Sequence, residues 1–504
     1  TWTEGFFYYA KVQKEIGNHI LSISAMGAPQ QHGQRKYQSD IATYDTSIAR
    51  SLGDDRDFSD RTIINKGITY NKHWGYLDRW SLDNNGDTIH AKENFNTAKN
   101  YYHKPQFSLR DFWEINDKFY MSNILYASIG NGGGTSISGS SYDVNGQYNL
   151  QDIYDGNFAG PFSIDPIYSE TEHKSGNYLK SSINNHYWYG GLSTLNYEVS
   201  DKISISGGID IRKYKGEHYR EVYDLLGGDY AIDESNHVQS SQIKHIGDIV
   251  GYHNDGHVKW IGGFGQIEYN DDKISTFLNI SGANSGYKRH DYFKKKDLVL
   301  EDTTFTEVLG TSVSTELQFD QDGNLIGATK TMSVDTFTYN GKNYTMYSEE
   351  AQDAITSWYW INGFTIKTGA NYNLDEFNNL FFNTGYISKA PRFNNVYDYN
   401  NQLWRDIRNE KVKAIEAGHS YRSMYLSSNI NAYYTIWENK PSNGGISIDV
   451  DDVTYRSNIN GMNALHKGIE MDLAYKILPN LKILANKYQL DHLNLFFLFL
   501  TIAL

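Results

Sequence analysis

The sequence has no cysteine and only 7 prolines in 504 residues. The lack of cysteine excludes disulfides, thiolate metal sites and a cysteine nucleophile. The mean hydropathy of −0.60 is far too low for a protein that crosses a membrane with helices. Basic residues are also in deficit, with 46 Lys and Arg against 60 Asp and Glu and a net charge of −14. Because phosphate backbones are bound by clustered Lys and Arg, no nucleic-acid partner is expected.

Patterns that would predict chemistry are also missing from the sequence. His257 and His290 lie too far apart in sequence to predict a metal pair, and no two carboxylates are singled out as a glycosidase pair. The run SIGNGGGTSISG, Ser128 to Gly139, has its third glycine misplaced for a dinucleotide loop and predicts a hairpin tip instead. The sequence therefore predicts no enzyme, no catalytic residue, no metal site and no cofactor.

The sequence is rich in residues that form strands and turns, with 41 Tyr, 23 Phe, 10 Trp and 44 Gly. This mix favours an all-β class. Six pairs of strand-like stretches are joined by short turns of Asp, Asn, Gly or Ser, which indicates antiparallel hairpins. The pairs are Phe6–Lys14 with His19–Met26, Gln106–Glu114 with Phe119–Ile129, Tyr187–Val199 with Ile203–Tyr214, Val258–Tyr269 with Ile274–Gly282, Trp358–Asn373 with Asn378–Ile387, and Lys411–Tyr421 with Tyr425–Trp437.

Long polar connections separate each hairpin from the next. Compact soluble domains rarely keep several loops longer than about 15 residues, whereas outer-membrane barrels alternate short periplasmic turns with long extracellular loops. The predicted strands also approach the length of about 9 to 11 residues that a tilted transmembrane strand needs. The connections are Gly27–Pro105, Gly130–Asn185, Lys215–Gly256, Ala283–Ser357, Ser388–Glu410 and Glu438–Gly461.

Alternation along the strands predicts what each face meets. In DKISISGGIDIR, Asp201 to Arg212, isoleucines and one glycine, Gly207, occupy every second position on one face, and polar residues occupy the other. The stretch KISTFLNIS, Lys273 to Ser281, repeats this pattern, with Phe277 as the exception. We therefore predict an antiparallel transmembrane β-barrel whose apolar face meets lipid and whose polar face meets a wet lumen. In the alternative, a soluble sandwich, the apolar faces of two sheets pack together.

Three consecutive stretches resemble the barrel of TonB-dependent receptors: GYISKAPRFNNVYDYNN (Gly385 to Asn401), NEKVKAIEAGHSYRS (Asn409 to Ser423) and SSNINAYYTIWENKP (Ser427 to Pro441). Three further stretches, Asn18–Arg35, His218–Tyr230 and His466–Ile483, are similar to the same family, so the resemblance covers nearly the whole chain up to about Ile483. Lys389 departs from the usual arginine, and no proline follows the Asn409 segment. The matching residues are Lys389, Ala390, Pro391, Phe393, Tyr397, Asn409, Lys413, Glu416, Gly418, Tyr433 and Tyr434.

The resemblance implies a barrel of about 22 strands, an N-terminal plug domain and a TonB box. The sequence shows about thirteen or fourteen strand patterns and neither plug nor box, so we expect a barrel-region fragment that lacks the plug and is incomplete in this chain. The predicted division is a partial barrel over residues 1–483 and an off-pattern apolar tail over residues 484–504. In that tail, LNLFFLFLTIAL, Leu493 to Leu504, abandons alternation.

The resemblance also implies active import of a scarce nutrient across the outer membrane: siderophore-bound iron, cobalamin, haem, a glycan or a peptide. The implied partners are the TonB energy-coupling complex, outer-membrane lipid and lipopolysaccharide, a surface lipoprotein and the small nutrient ligand. A passive porin or adhesin barrel and a soluble all-β glycan-active protein are the alternatives.

Five residues of the first long connection are candidates for ligand binding. Trp74, Tyr76 and Trp80 carry rings suited to stacking on flat ligands or sugars. His32 and Arg35 stand just beyond the second predicted strand, where a barrel would expose them. Packing within the loop is the alternative for all five.

Overall fold

The computed structural model describes residues 2–35, 40–60, 63–139, 147–323, 325–398, 400–441, 445–450, 453–458, 461–478, 481–490 and 493–502. Most of them form strands. The helices are α1 (Ile41–Tyr44), α2 (Thr46–Ser51), α3 (Leu150–Ala159) and a 3-10 turn (Phe393–Asn395). Among the helices of the described residues, none combines the length and the hydropathy needed to cross a bilayer.

The strands fall into long ones that build one large sheet and short ones within the connections. In chain order they are β1 (Thr3–Gly5), β2 (Tyr8–Ile16), β3 (His19–Gly27), β4 (Gln30–Gly33), β5 (Trp74–Leu82), β6 (Thr88–Asn96), β7 (Lys99–His103), β8 (Gln106–Asn116), β9 (Phe119–Ile137), β10 (Leu179–Ser200), β11 (Ile203–Asp224), β12 (Ala231–Ile232), β13 (Ile243–Lys244), β14 (Ile249–Asn270), β15 (Ile274–Asp291), β16 (Lys296–Val299), β17 (Thr304–Leu309), β18 (Thr311–Phe319), β19 (Leu325–Val334), β20 (Phe337–Tyr339), β21 (Lys342–Tyr344), β22 (Ala351–Gln352), β23 (Ala354–Ile355), β24 (Tyr359–Asn373), β25 (Asn378–Lys389), β26 (Glu410–Arg422), β27 (Leu426–Lys440), β28 (Gly445–Val450), β29 (Val453–Asn458), β30 (Met462–Leu478), β31 (Leu481–Leu490) and β32 (Leu493–Ile502).

Each long strand pairs antiparallel with the next long strand along the chain. The lateral order is β2, β3, β8, β9, β10, β11, β14, β15, β24, β25, β26, β27, β30, β31 and β32. The short strands β1, β4, β7 and β23 extend this sheet at the end where the long connections leave it. All six predicted hairpins are confirmed as pairs, and an up-and-down meander of this kind is the topology that a barrel requires.

One face of the sheet is apolar and exposed, and we call it the apolar face (Leu125, Ile209, Ile211, Ile261, Leu278 and Ile280). Ile211 lies directly opposite Ile261 across the β11–β14 pair. Ile209 and Leu278 are 57% and 40% exposed, so no second layer of the described residues covers them. Such a face does not fit the sandwich alternative, in which these side chains would be buried.

The other face, the polar face, carries the alternate residues of the same strands. Asp210 on β11, Gln266 on β14 and Asn279 on β15 belong to it. The Asn279 amide donates to Gln266 Oε1 at 2.9 Å across the β14–β15 pair. The side chains on this face therefore bond to one another between strands, as they would along a hydrated interior.

Several long strands continue further than the sequence predicted. The pattern predicted Ile203–Tyr214, whereas β11 runs to Asp224 and still pairs with β10 at Ile183 and Tyr219. Beyond Arg212 both faces carry polar residues, so alternation no longer marks a strand although the backbone ladder goes on. The predicted connections are correspondingly shorter than expected.

The glycine run of β9 is not the hairpin tip that was predicted. Gly133 pairs with Tyr101 and with Ile183, inside the sheet. A Cβ at Gly133 would lie 2.7 Å from the Tyr101 hydroxyl, and one at Gly130 would lie 2.4 Å from the His186 ring. The glycines therefore serve to let large neighbouring side chains lie over the strand, which is why a turn-like composition occurs within a strand.

The long connections fold into small cores beyond the ends of the long strands. Leu77 of the β5–β6 hairpin, Leu150 of α3 and Leu226 after β11 share one core. Leu298 and Leu309 of the β16–β17 region form another. These described parts of the connections are thus packed structures at the ends of the long strands.

The C-terminal segment continues the meander. β31 pairs with β30, and β32 pairs with β31 through Leu490 opposite Leu493. Residues 491–492 and 503–504 lie outside the described residues. The predicted boundary at residue 484, together with the partial barrel over 1–483 and the tail over 484–504, stays a prediction.

Candidate functional site in the polar-face vestibule

A cavity of about 800 Å³ opens on the polar face where the long connections leave the sheet, and we call it the vestibule cavity. Three adjacent strands and three connecting segments supply its walls. Its lining residues include Tyr214, His218, Ser235, His237, Tyr252, Asn254, Arg289, Asp291, Lys294, Phe393, Asn394 and Asn400.

Strand register explains why these distant residues meet. His218 of β11 lies opposite Asn254 of β14, and Asn254 lies opposite Asp291 of β15. Antiparallel pairing therefore places all three in one row across the sheet, and side chains in such a row are direct neighbours.

The row stands far above the short turns. His218 follows Ile203, the first residue of β11, by 15 positions, and Asn254 precedes Tyr269, the partner of Ile203 on β14, by the same number. At about 3.3 Å per residue this distance is about 50 Å along the strand. With a strand tilt of about 40° it becomes about 38 Å, beyond an apolar band about 25 Å tall.

A connecting segment covers the cavity from one side. Val396 and Tyr397 pack on Tyr287 in a buried core to which Phe393 contributes. The Arg289 guanidinium donates to the backbone carbonyl of Asp398 at 3.0 Å. The segment after β25 is thereby attached to β15, which fixes this part of the cavity wall.

The charges in the cavity are close to one another and largely buried. Arg289 Nη2 lies 3.5 Å from Asp291 Oδ2, and the two residues are 7% and 9% exposed. The Asp291 carboxylate also accepts from the backbone N–H of Phe293 at 3.1 Å. Since paired buried charges hold each other in place, this part of the wall is preorganised.

Burial favours the neutral form of His218, the histidine of the row. Burial is the main reason that the pKa of His218 is lowered from its ordinary value of 6.5; nearby Arg289 lowers it further, and Asp255 acts in the opposite direction. Its Nδ1 lies 2.7 Å from the side-chain oxygen of Asn184. Imidazole, amide and tyrosine groups beside Phe393 are of the kinds that form hydrogen bonds and ring contacts in small-molecule sites.

A second cavity of about 550 Å³ lies nearer the short turns on the same face. Asp210, Trp260 and Phe264 line it, together with Lys389 and Arg392. The Arg212 guanidinium, which bonds to Asp210, stacks over the Trp260 ring with 4.5 Å to its centroid. The polar face therefore presents a series of aromatic and charged groups towards the interior.

The described residues hold no cluster of three or more His, Cys, Asp or Glu that could bind a metal ion. His257 pairs with Lys288, and His290 pairs with Asp255 across β14 and β15. The two histidines therefore lie on neighbouring strands of the same face but not opposite each other.

The aromatic candidates of the first connection divide into two groups. Trp74 and Tyr76 lie on one side of β5 with ring centroids 5.2 Å apart, and Tyr76 is 71% exposed. Trp80 instead packs against Phe158 of α3 at 4.4 Å and donates from Nε1 to Asp155 Oδ1 at 2.7 Å. Only the first two rings face solvent.

The two polar candidates lie in different surroundings. His32 lies in β4, opposite Thr3 of β1 and Asn100 of β7. The Arg35 guanidinium donates to the carbonyl oxygens of Ile68 and Tyr70 at 2.8 and 3.1 Å. Neither residue lines the vestibule cavity, nor do the three aromatic candidates. Ligand binding by these five residues stays a prediction.

His218, Asn254 and Arg289 were not among the predicted residues. One signal could have found them, because counting equal distances from neighbouring short turns brings residues of antiparallel strands into the same row. The predicted strands Ile203–Tyr214 and Ile274–Gly282 end short of these residues, so such a count cannot be made from the predicted bounds.

No family model and no curated protein matches the chain. Solved structures do match it over most of its length. The copper transporter OprC matches with 9% identity and a TM-score of 0.52, covering 97% of this chain and 54% of its own. The chain has the barrel fold of the TonB-dependent receptors. The predicted resemblance is confirmed at the level of the fold.

Two further matches agree with this barrel fold. The ferric citrate transporter FecA has 8% identity and a TM-score of 0.52, with 97% of this chain and 51% of FecA covered. The ferripyoverdine receptor of the Pseudomonas aeruginosa outer membrane has 10% identity and a TM-score of 0.51, with 99% and 52% covered. The chain thus spans about half the length of the solved structures that it matches.

Proposed function

We propose that this chain forms the barrel wall of an outer-membrane importer that takes up a scarce small nutrient with energy from a TonB complex. The observation that carries the proposal is the preorganised vestibule cavity on the polar face of a wall whose other face is apolar and exposed. A cavity of this size falls in the range of about 300 to 1,000 Å³ that small-molecule sites occupy.

The two faces suit a protein that spans the outer membrane. Isoleucines at half exposure are costly in water but favourable against acyl chains. The polar face can then line a hydrated interior, with its side chains bonded between strands. In this orientation the short turns face the periplasm and the vestibule cavity faces the outside.

The nutrient enters from the long-connection side and reaches the vestibule first. Siderophore-bound iron, cobalamin, haem, a glycan and a peptide are all candidates for it. The energy-coupling step requires a plug and a TonB box, which we place in the complete protein. A surface lipoprotein partner would favour a glycan or a peptide as the cargo.

The membrane location is tested first. The protein is expected to require detergent for purification, and its unheated form is expected to migrate differently from the boiled form on a gel, as folded barrels do. A protein that stays monodisperse in plain buffer would be the soluble all-β alternative.

Energy coupling is tested in cells that make the complete protein with or without their TonB complex. Each candidate nutrient is supplied in labelled form, and accumulation is measured. We expect one class to accumulate only when TonB is present. Accumulation that does not depend on TonB would instead indicate a passive porin.

The vestibule is tested by Arg289→Gln, which removes the link to Asp398, with Arg422→Gln as the control at the short-turn end of β26. We expect uptake to fall at least about tenfold for the first variant, because a misplaced binding group commonly has that effect. Equal uptake by both variants would remove the vestibule from the proposed pathway.

A further inference from the structure

Polar side chains interrupt the apolar face on three adjacent strands. Asn123 of β9 lies two positions before Leu125, and side chains on one face of a strand recur every second residue. Asn123 lies opposite Asp111 of β8 and opposite Ser193 of β10. Ser193 in turn lies opposite Ile209, another residue of the apolar face. An aspartate, an asparagine and a serine therefore point the same way as the exposed leucines and isoleucines.

Hydrogen bonds connect these side chains across the strands. Ser193 Oγ donates to Asn123 Oδ1 at 2.8 Å, and the Asn123 amide donates to Asp111 Oδ2 at 3.3 Å. His19 of β3 extends the connection, because its Nδ1 lies 2.8 Å from Asp111 Oδ1. We call His19, Asp111, Asn123 and Ser193 the polar quartet. Two of its members are ionisable, and ionisable side chains are rare on a surface that faces hydrocarbon.

The polar quartet lies inside the apolar band. Asn123 lies 4 positions beyond Phe119, the first residue of β9, and Ser193 lies 7 positions before the last residue of β10. With a strand rise of about 3.3 Å and a tilt of about 40°, the quartet stands about 10 to 18 Å above the short turns, within a band about 25 Å tall. Leu125 lies above it and Leu195 lies below it, and both are exposed.

The hydrogen bonds of the polar quartet are incomplete within the wall. One N–H of the Asn123 amide and the Nε2 atom of His19 form no hydrogen bond to any described residue. The side chains of His19 and Asp111 are 38% and 22% exposed, so the quartet can be reached from outside. Unmet polar groups are costly in hydrocarbon, which offers them no partner.

Two threonines of the apolar face differ from the polar quartet in this respect. Thr368 is the cross-strand partner of Leu278, and Thr384 is the partner of Thr368. The Thr368 hydroxyl donates to the carbonyl oxygen of Phe277 at 2.7 Å, and the Thr384 hydroxyl donates to that of Ala414 at 3.0 Å. These hydroxyl donors are satisfied by the backbone of the wall itself, whereas the polar quartet keeps unmet groups for an outside partner.

A two-fold axis along the membrane normal would supply that partner from a second copy. Across such an axis, each residue faces one that lies equally far on the other side. An axis between β8 and β9 therefore places Asp111 of one copy against the partner's Asn123, and the same contact forms a second time with the roles exchanged. The surface is self-complementary, because a carboxylate meets an amide that has an N–H to donate.

We infer that the polar quartet is the centre of an interface between two copies of this barrel wall, which lie side by side in the membrane. The inference rests on the proposed function, because only a wall that spans the outer membrane places this face in hydrocarbon. Burial of apolar surface gives no gain between proteins in a bilayer, so close packing and hydrogen bonds hold them together. Leu109 and Leu125, directly above the quartet, supply the packing.

The first test compares variants of the complete protein in dilute lipid vesicles. Asn123→Asp opposes two carboxylates across the axis, and the double variant Asp111→Asn with Asn123→Asp exchanges the two groups and restores their pairing. Asn284→Asp is the matched control, since Asn284 of β15 is the partner of Ile261 on the same face, four strands from β9. Photobleaching steps, with one dye on each chain, count the copies in a particle.

We expect two steps for most particles of the unaltered protein, the control and the double variant. Asn123→Asp should raise the dissociation constant of the dimer roughly 100-fold, because two hydrogen bonds to a carboxylate are lost. Single steps for the unaltered protein, an equal dimer fraction for Asn123→Asp, or an equal loss of dimer in the control would overturn the inference.

The second test locates the contact in intact outer membranes. The photoreactive residue benzoylphenylalanine takes the place of Leu125, which lies beside the axis, or of Leu278 as the control. Illumination should join two copies through the first position and leave the control as single chains. A product that joins position 125 to a different protein, or dimers that form equally through both positions, would contradict an interface centred on the polar quartet.

A loss of the dimer is distinguished from a loss of folding and from a failure of the proposed function. Heat-dependent gel mobility reports the folded barrel of every variant. Detergent dependence and TonB-dependent uptake are measured on the same preparations. A protein that shows both of these properties and is a monomer refutes the two-copy interface alone.

Discussion

Tyr287 of β15 and Tyr397 of the segment after β25 together hold that segment over the vestibule cavity, and we call the segment the cover. The Tyr287 hydroxyl donates to the carbonyl oxygen of Pro391 at 2.8 Å, and the Tyr397 hydroxyl lies 3.2 Å from the carbonyl oxygen of Tyr287 itself. The Tyr397 hydroxyl also donates to the carbonyl of Ser357 at 2.8 Å. One strand and one connecting segment are thus held together by hydrogen bonds that water cannot easily replace.

Replacing Tyr397 by Phe should loosen this cover without changing the barrel. Losing a buried hydrogen bond costs about 1 to 2 kcal/mol. This change increases the open population, and with it the rate of tryptic cleavage after Arg405, by about 5 to 30-fold. Tyr347→Phe is the matched control, because Tyr347 is 71% exposed. Unchanged cleavage in the Tyr397 variant would mean that the cover is held elsewhere.

A charge on the apolar face should be far more costly than the same charge on the polar face. Ile209→Lys places an ammonium near mid-membrane, at a cost of about 2 to 4 kcal/mol. Ser206→Lys on the same strand points into the hydrated interior and should cost little. Folding into lipid vesicles in a urea series, followed by heat-dependent gel mobility, measures both. Similar midpoints for the two variants would contradict a lipid-facing Ile209.

The sequence predicted the pairing of the hairpins and the two faces of the sheet well, and the reason is physical. Between lipid and a wet lumen, apolar and polar residues alternate with few exceptions, such as Phe277, so Ile203 to Ile211 and Ile274 to Ile280 mark strands and faces together. Above the membrane both faces are polar, and the signal disappears at Lys213 although β11 continues to Asp224. Hence the pairing of the hairpins was predictable, and the full length of the strands was not.

The residues of the candidate site could not be predicted for the same reason, because they lie beyond the part of the strands where apolar and polar residues alternate. Exposed rings in a long connection, such as Trp74 and Tyr76, stand out in a sequence, whereas the cavity is built by register between β11, β14 and β15. Asn254 is unremarkable in sequence and gains its place only from its partners His218 and Asp291. The cover over the cavity depends on Arg289 and Asp398, which are 109 residues apart.

The neutral His218 predicts a pH dependence of stability. Its folded-state pKa is lowered, mainly by burial, below the value of 6.5. As the pH falls, His218 of the unfolded chain therefore takes up its proton before His218 of the folded protein does. The contribution of neutral His218 to the free energy of unfolding is fully present above pH 6.5 and is lost as the pH falls towards the folded-state pKa. His218→Gln should reduce the fall in melting midpoint between pH 7.5 and 5.

The control for this prediction is His245→Gln, since the His245 side chain is 60% exposed. It should leave the difference between the two midpoints unchanged. An equal fall in the His218 variant and the unaltered protein would show that protonation of other groups governs the acid response.

Trp80 and Tyr76 provide the last prediction, because both were candidates for stacking on a ligand and the structure gives them different surroundings. Trp80→Phe loses the hydrogen bond to Asp155 and part of the packing on Phe158, which should destabilise the first connection by about 1 to 3 kcal/mol. Tyr76→Ser changes an exposed ring and should stay within about 0.5 kcal/mol. Hydrogen exchange at the amides of α3 measures both effects. If Trp80→Phe left exchange unchanged while reducing nutrient uptake, its ring would be acting on the ligand and not on the loop core.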